Sequence, residues 1–183
     1  MAKKKSRNRA IATNATRVLD AAGVAYERCP YAYVERGGTR ASSAALGVDE
    51  HAVIKTLVFE DDRKRPFIIC QHGDREVSAK ALARALGVKS VRPCAPDVAQ
   101  RHSGYRVGGT SPFGLRKSLP IYVESSILIL SRIWINGGVR GLLVSLDPQC
   151  LVDVVHATEV SVARDGGGNG GRTPARAAPE PPG

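Results

Sequence analysis

A glycine-rich run from Tyr105 to Gly114 contains the residues best suited to holding a ligand. Its two adjacent glycines, Gly108 and Gly109, allow the backbone to approach a bound group closely or to adopt a positive φ. The hydroxyls of Thr110 and Ser111 can each donate and accept hydrogen bonds. The run could therefore cradle a hydroxyl, carboxyl or phosphate group, although a hairpin connection would use the same turn residues.

A second glycine-rich run and a strand lysine favour a ligand site over a plain turn. The second run extends from Asn136 to Gly141 and includes Gly137 and Gly138. Lys55 lies inside an apolar segment from Val53 to Phe59, which is typical of a β-strand. An edge lysine that reaches solvent explains this position equally well. In a site, the same ammonium would offer a fixed cation to a carbonyl oxygen or a phosphate.

The charge balance of the chain indicates a polyanionic partner. The 183 residues carry a formal net charge of +10 at pH 7, which is typical of nucleic-acid binding first and of anionic membranes second. Charge that serves only solubility is the alternative. Tyr31, Tyr33 and Tyr105 could stack on bases. The basic residues near the glycine-rich runs that we predict to contact nucleic acid are Arg101, Arg106, Arg116, Lys117 and Arg140.

Several classes of chemistry are not supported by the sequence. No apolar run approaches the roughly 20 residues of a membrane span, and the apolar stretch from Ala10 to Ala12 is too short for a signal peptide, so we predict a cytoplasmic protein. No C-x-x-C pair, G-x-S-x-G motif or histidine at metal-ligand spacing occurs. We therefore predict no metal, no cofactor and no protein nucleophile, but catalysis by positioning and electrostatics. The cysteines, expected to be free thiols, are Cys29, Cys70, Cys94 and Cys150.

The chain divides into three predicted parts. Residues 1–12 form a disordered basic arm, 13–163 form the folded domain, and 164–183 form a disordered Gly/Pro-rich tail. Short strands interrupted by helices predict an α+β fold with flanking helices on a curved, mainly antiparallel, barrel-like sheet. The predicted helices are 15–22, capped by Asn14, 39–46, 79–86, 96–102 and 148–156. The predicted strands are 24–34, 51–59, 66–71, 89–92, 119–123, 132–136, 141–146 and 159–162.

The order of these motifs resembles the YbaK/EbsC family, the free-standing relatives of the prolyl-tRNA synthetase editing domain. Within that family the chain is most similar to the Cys-tRNA(Pro) deacylase group. The likeness covers about residues 13–162. It is carried by the segments Thr13 to Thr16, Gly23 to Val24, Tyr31, Lys55 to Val58, Gly104 to Gly114, Leu119 to Pro120 and Asn136 to Leu142.

This resemblance implies an aminoacyl-tRNA deacylase that clears mischarged Cys-tRNA(Pro), with Cys-tRNA(Cys) as a further substrate. Lys55 is then the key active-site residue. The implied route is lyase-type, because the thiol of the substrate attacks its own ester carbonyl and the ribose hydroxyl leaves; ester hydrolysis is the other form. The residues implied to bind the aminoacyl-adenosine end are Tyr31, Thr56, Gly108, Gly109, Thr110, Ser111, Asn136, Gly137 and Gly138.

The chain departs from the family pattern at two places, which leaves its specificity open. Leu143 stands where a carboxylate is common, and the segment from Cys29 to Tyr31 replaces a more polar run. One alternative is a catalytically silent tRNA-binding module, and another is a deacylase for a different small amino acid, such as Ala-tRNA(Pro). A complex with prolyl-tRNA synthetase is implied by the resemblance alone.

Overall fold

The computed structural model describes residues 12–165. The predicted basic arm and most of the predicted tail lie outside this range. The helices are α1 (Asn14–Ala21), α2 (Gly38–Leu46), α3 (Ala79–Leu86), α4 (Pro96–Ser103) and α5 (Cys150–Asp153), with 3-10 turns at Glu50–Ala52 and Ser125–Ile127. The strands are β1 (Tyr26–Pro30), β2 (Val53–Asp61), β3 (Pro66–His72), β4 (Arg75–Val77), β5 (Val91–Pro93), β6 (Ile121–Glu124), β7 (Ile133–Val139), β8 (Leu142–Leu146), β9 (Thr158–Val160) and β10 (Ala163–Asp165).

Eight strands form the main sheet, in the order β1-β8-β7-β2-β3-β6-β9, and β5 adds to β2. The pairs β1–β8, β7–β8, β2–β3 and β2–β5 are antiparallel, whereas β2–β7, β3–β6 and β6–β9 are parallel. Strands β4 and β10 form a separate antiparallel pair. The predicted α+β fold is therefore confirmed, but the described sheet stays open and does not close into a barrel.

The two faces of β2 pack into two different cores, as the alternation of a strand requires. Ile54 and Val58 face the larger core, which buries the helices α1 and α5. Phe59 faces the smaller core, which lies under α3 and includes Phe67 and Leu82. Lys55 lies on the same face of β2 as Phe59. It is near the start of the strand, however, beyond the residues that form the smaller core. The sheet is thus a two-sided scaffold that fixes the lysine on a rigid strand.

Helix α1 begins one residue earlier than predicted, since Thr13 and not Asn14 is its cap. Thr13 has extended backbone angles (φ −105°, ψ 169°), and its hydroxyl accepts from the Thr16 N–H at 3.0 Å. The Thr16 hydroxyl accepts in return from the Thr13 N–H at 2.9 Å. This reciprocal pair is a capping box, so the earlier of two adjacent cap-forming residues takes the role.

Other differences lie at element ends. Strand β2 begins at Val53 and not at residue 51, because Asp49 caps a 3-10 turn before it. Strand β1 ends at Pro30, four residues before the prediction, and α5 is shorter than the predicted helix 148–156. Strand β4 was not predicted, and neither was β10, which includes the first two residues of the predicted tail, Arg164 and Asp165. Both have three residues and no apolar alternation to reveal them.

Candidate active site

A cavity of about 590 Å³ lies beside β2, whose one edge is paired with β3 throughout this stretch and whose other edge is not covered by a strand. Strand β7 pairs with β2 only as far as Ile54, and β5 begins to pair at Phe59. The Cys94 N–H donates to the Val58 carbonyl at 2.9 Å, so the backbone groups of Val58 and, by alternation, of Thr56 point toward this gap. The predicted site residues that line the cavity are Tyr31, Lys55, Thr56, Gly108, Thr110, Asn136 and Arg140.

The two glycine-rich runs meet at this cavity through side-chain to backbone hydrogen bonds. The Asn136 Nδ2 donates to the Gly108 carbonyl at 2.9 Å, and its Oδ1 accepts from the Gly138 N–H at 2.9 Å. The Arg140 Nε donates to the Val107 carbonyl at 2.9 Å. Asn136 thus fixes both runs at once, which accounts for the pairing of the two motifs in the sequence.

Four of the predicted binding residues support the cavity from behind and do not line it. The Gly109 N–H donates to the Arg106 carbonyl at 2.8 Å and closes a turn. Ser111 is fully buried, and the Thr13 hydroxyl donates to the Gly137 carbonyl at 2.5 Å. Their part is therefore to shape the wall. The four residues are Gly109, Ser111, Gly137 and Gly138.

Gly108 is required both by its backbone and by its neighbour. Its φ is +87°, in the region that side chains other than glycine rarely adopt. A Cβ at this position would lie 2.8 Å from the Tyr33 hydroxyl oxygen, which also belongs to a residue of the cavity wall. The Arg140 guanidinium lies over the Tyr33 ring, 5.0 Å from its centroid, so the ring has little freedom to move away.

Lys55 brings a positive charge to the edge of the cavity. Its Nζ donates to the Arg75 carbonyl at 2.5 Å, and an ammonium keeps two further donors for a ligand. Burial lowers the pKa of Lys55, while the carboxylates of Glu50, Glu76 and Asp74 act in the opposite direction. The lysine is therefore anchored at the start of β4, outside the glycine-rich runs, and it lines the same cavity as Gly108, Thr110 and Asn136.

Thr56 and Tyr31 supply neutral polar groups. The Thr56 hydroxyl is buried in the cavity wall, where its interaction with the Cys70 thiol lowers the pKa of that thiol against the larger, opposite effect of burial. The Tyr31 N–H is bound to the Gly141 carbonyl at 2.9 Å, and burial raises the pKa of its phenol, so the hydroxyl stays protonated. Together these residues could orient a polar ligand without adding charge.

Cys94 also lies in the cavity wall, although no pattern in the sequence predicted it as a site residue. Burial, together with the nearby Glu60 carboxylate, raises the pKa of its thiol to about 11. A thiol is a nucleophile only as the thiolate, so Cys94 is unsuited to attack at neutral pH. No local motif marks the residue, since it reaches the cavity only because β5 pairs with the far end of β2.

An apolar part of the wall includes Leu143, for which the sequence resemblance predicts a departure from a common carboxylate. Leu143 is 4% exposed and pairs with Asn136 across β8 and β7. Val58 and Ala99 extend this apolar surface. Because the surface carries no charge, it suits a small and weakly polar side chain better than a charged one.

Four of the five predicted tRNA contacts line a second cavity, of about 480 Å³. These residues are Arg101, Arg106, Arg116 and Arg140. Lys117, the fifth, lines neither cavity and is exposed. The predicted contacts are thus largely brought together in space, although they come from three separate segments.

Within residues 12–165, no group of three or more histidine, cysteine, aspartate or glutamate side chains is arranged to hold a metal ion. The same part of the chain contains no helix with the length and apolarity needed to cross a lipid bilayer.

Residues 37–154 match the family model of the aminoacyl-tRNA editing domain. The match spans more than half of the chain and includes Lys55, both glycine-rich runs and every lining residue of the second cavity. The chain therefore belongs to the aminoacyl-tRNA editing domain family, and the resemblance found in the sequence is confirmed. A protein of this class acts on aminoacyl-tRNA in translational proofreading.

Individual relatives include one protein that the chain matches nearly end to end and one larger enzyme that it matches in part. An Enterococcus faecalis protein named "Putative Cys-tRNA(Pro)/Cys-tRNA(Cys) deacylase EbsC" is 31% identical over 157 residues, 85% of this chain and 94% of that protein. The proline–tRNA ligase of Brachyspira hyodysenteriae is 24% identical over 112 residues, 61% of this chain but only 17% of the ligase. A crystal structure of "a putative trans-editing enzyme for prolyl tRNA synthetase" has a TM-score of 0.73 at 20% identity, covers 84% of this chain and 99% of that chain, and shows the shared fold.

Proposed function

We propose that this chain is a trans-editing deacylase that clears mischarged Cys-tRNA(Pro), with Cys-tRNA(Cys) as a second substrate. The observation that carries the proposal is the single cavity shared by Lys55, Thr56, Gly108 and Asn136 in an editing domain. The E. faecalis relative, which matches nearly end to end, is named for these two substrates. The cavity wall combines one cation with neutral polar groups and an apolar patch, which suits the aminoacyl end of a tRNA.

The proposed reaction uses the thiol of the substrate as its nucleophile. The cysteinyl sulfur attacks its own ester carbonyl, so that a C–S bond forms and the C–O bond to the ribose breaks. The ribose oxygen leaves and takes up a proton equivalent to the one the thiol lost. The amino acid departs as a cyclic thioester without water entering this step, which makes the reaction lyase-type; later hydrolysis of the thioester gives free cysteine.

The residues of the cavity support this step by position and charge. The Lys55 ammonium, with donors beyond its bond to Arg75, holds the 3′-terminal phosphate or the ester carbonyl. The backbone at Gly108 faces the developing oxyanion, whereas the Gly109 N–H is already bound to Arg106. Charge aimed at a developing oxyanion is commonly the largest part of such catalysis.

Two features of the wall support the use of a substrate thiol. Cys94 is held as a neutral thiol by a pKa of about 11, so the protein offers no thiolate in this cavity at pH 7. Cysteinyl esters are then distinguished from seryl and alanyl esters by their chemistry, because serine and alanine lack the thiol. The wall near Leu143 adds a steric and apolar selection for a small side chain.

The test is a panel of purified mischarged tRNAs incubated with the full chain. Cys-tRNA(Pro), Cys-tRNA(Cys), Ala-tRNA(Pro) and Ser-tRNA(Pro) are compared with correctly charged Pro-tRNA(Pro). We expect loss of the two cysteinyl esters only. Faster loss of the alanyl ester would establish a different cargo, and tight, salt-sensitive binding without cleavage would establish the silent binding module that Leu143 favours.

This function requires prolyl-tRNA synthetase as a partner, in a dissociable complex. It also requires that the protein act in the cytoplasm. A free-standing editor whose cavity recognises the aminoacyl end needs help to select one tRNA over another. Addition of the synthetase should therefore accelerate deacylation of Cys-tRNA(Pro) more than that of Cys-tRNA(Cys). Equal acceleration of both, or none, would contradict recruitment.

A further inference from the structure

The second cavity, here called the arginine cavity, is defined by four guanidinium groups that converge from three segments. Helix α4 contributes Arg101, the first glycine-rich run and the residues after it contribute Arg106 and Arg116, and the turn after β7 contributes Arg140. Asp97 is the one carboxylate among the lining residues. The cavity therefore has an excess of positive charge on a concave surface, where electrostatic potential is concentrated.

Two of these arginines are free to bind an anion. Asp97 lies 3.4 Å from Arg101 and forms an ion pair with it. Arg140 donates to the Val107 carbonyl and lies 3.9 Å from Glu35. By contrast, no carboxylate among residues 12–165 forms an ion pair with Arg106 or Arg116.

The backbone of Arg116 is fixed, although its side chain forms no ion pair with any carboxylate in the described range of 12–165. Its N–H donates to the Ser103 carbonyl at the end of α4, at 2.9 Å, and its Cβ is packed against Gly104, where an added Cβ would come within 2.9 Å. An exposed arginine with a fixed backbone and no carboxylate partner loses less entropy on binding than one on a loose loop. The site is thus partly organised in advance.

The arginine cavity is directly adjacent to the candidate active site. Pro96, Val107 and Arg140 line both cavities. Arg140 connects them physically, since its guanidinium stacks over Tyr33 in the wall of the first cavity. A ligand that fills the first cavity with an aminoacyl ester would continue into the second with whatever is attached to that ester.

We infer that the arginine cavity binds a backbone phosphate in the single-stranded 3′ end of the tRNA substrate, close to the esterified nucleotide. The inference rests on the proposed function, since it assumes that the first cavity holds the aminoacyl end. Arginine suits this task because its planar group binds phosphate oxygens through two parallel hydrogen bonds. A phosphodiester fits better than a free nucleotide, because the chain of the RNA must pass from one cavity to the next.

The experiment measures binding of an uncharged RNA hairpin that carries the acceptor stem and the 3′ CCA end. One linkage at a time in that end is replaced by an uncharged methylphosphonate. In the wild-type protein, we expect one such replacement to weaken binding about tenfold. In the double variant Arg106→Ala/Arg116→Ala, binding of the unmodified RNA should be weaker by a similar factor, and the same replacement should change it less than about twofold.

Arg84→Ala is the matched control, since it removes an exposed charge from α3 on the other core of the sheet. This control should retain the wild-type methylphosphonate profile. The slope of log Kd against log salt concentration should fall by about 0.7 in the double variant, as expected for one lost contact to single-stranded phosphate. Equal methylphosphonate profiles in wild type and double variant, or equally tight binding of free mononucleotide and hairpin, would overturn the inference.

The binding assay and the deacylation panel can fail separately. A wild-type protein that cleaves no ester but shows the arginine-dependent phosphate contact would refute the proposed function and support the phosphate site. A protein that cleaves Cys-tRNA(Pro) but shows no such dependence would support the function and overturn the site. Both variants change exposed side chains, and matching thermal unfolding curves verify that they fold.

Discussion

At the scale of single residues, Lys55 is the group on which catalysis should depend most. Replacing it by alanine removes the only lysine in the cavity wall and one hydrogen bond, that to the Arg75 carbonyl. We expect single-turnover deacylation of Cys-tRNA(Pro) to fall by at least about 100-fold, as for the loss of other oxyanion-stabilising groups. Because the side chain is only half-buried, the midpoint of thermal unfolding should change little. Lys80→Ala, an exposed lysine of α3, serves as the control, and full activity in the Lys55 variant would remove the proposed mechanism.

Replacing Cys94 tests whether the nucleophile is the thiol of the substrate or a thiol of the protein. With a pKa of about 11, its thiol is almost entirely protonated at pH 7. Cys94→Ala should therefore deacylate Cys-tRNA(Pro) within about twofold of the wild-type rate at saturating enzyme, where binding effects are removed. Loss of turnover in a variant that remains folded would assign the attack to Cys94 and refute the substrate-assisted route.

The sequence predicted the residues of the site whose roles are local and missed those that depend on long-range packing. Lys55, Gly108 and Asn136 stand out because a strand lysine and two glycine-rich runs are unusual in themselves. Cys94 does not, since it enters the wall only through the gap between β7 and β5. That gap is a property of strand register, which no local pattern specifies.

At the scale of elements, substitutions at Gly108 and Gly87 distinguish the effect of backbone strain on stability from the effect of cavity shape on activity. Gly108 and Gly87 both have positive φ, +87° and +65°. A Cβ on Gly87 meets nothing within 4 Å, whereas one on Gly108 meets Tyr33. Alanine at either position should lower the unfolding free energy by about 1–2 kcal/mol, from the strain of the left-handed region.

Only the Gly108→Ala variant should lose deacylase activity, by about tenfold or more, because it displaces the Tyr33 ring that walls the cavity. Urea unfolding gives the stability of the two variants, and single-turnover deacylation gives their activity. Equal activity in both would show that the contact with Tyr33 is not needed for the reaction.

Element ends illustrate why some of the fold follows from sequence and some does not. Gly47, Gly87 and Gly104 follow α2, α3 and α4 in the left-handed conformation, within one residue of the predicted helix ends, because glycine is the residue that adopts this conformation without strain. The pair of strands β4 and β10 was missed. It is held together by distant partners, which include the buried Glu124, whose carboxylate accepts from the N–H groups of Val162 and Ala163 at 2.7 Å.

At the scale of the whole molecule, an internal histidine makes stability depend on pH. His72 is 1% exposed, and its ring stacks on His51 with centroids 3.7 Å apart. Its Nδ1 donates to the His51 carbonyl at 2.7 Å, which leaves Nε2 to accept from the Ser126 hydroxyl at 2.8 Å. Burial lowers the pKa of His72 from its ordinary value of 6.5, so the neutral ring with these donor and acceptor roles is the form favoured at pH 7.

A lowered pKa means that the folded state binds this proton less readily than the unfolded state does. The stability that neutral His72 contributes is therefore complete above about pH 6.5 and is lost as the pH falls toward the pKa of the folded state, by up to about 1.4 kcal/mol per pH unit. Urea unfolding between pH 7 and pH 5 should show this slope in the wild type and a shallower one in His72→Gln. His156→Asn, which changes an exposed histidine with a positive φ that asparagine tolerates, should retain the wild-type slope. An unchanged slope in His72→Gln would show that the acid sensitivity arises elsewhere.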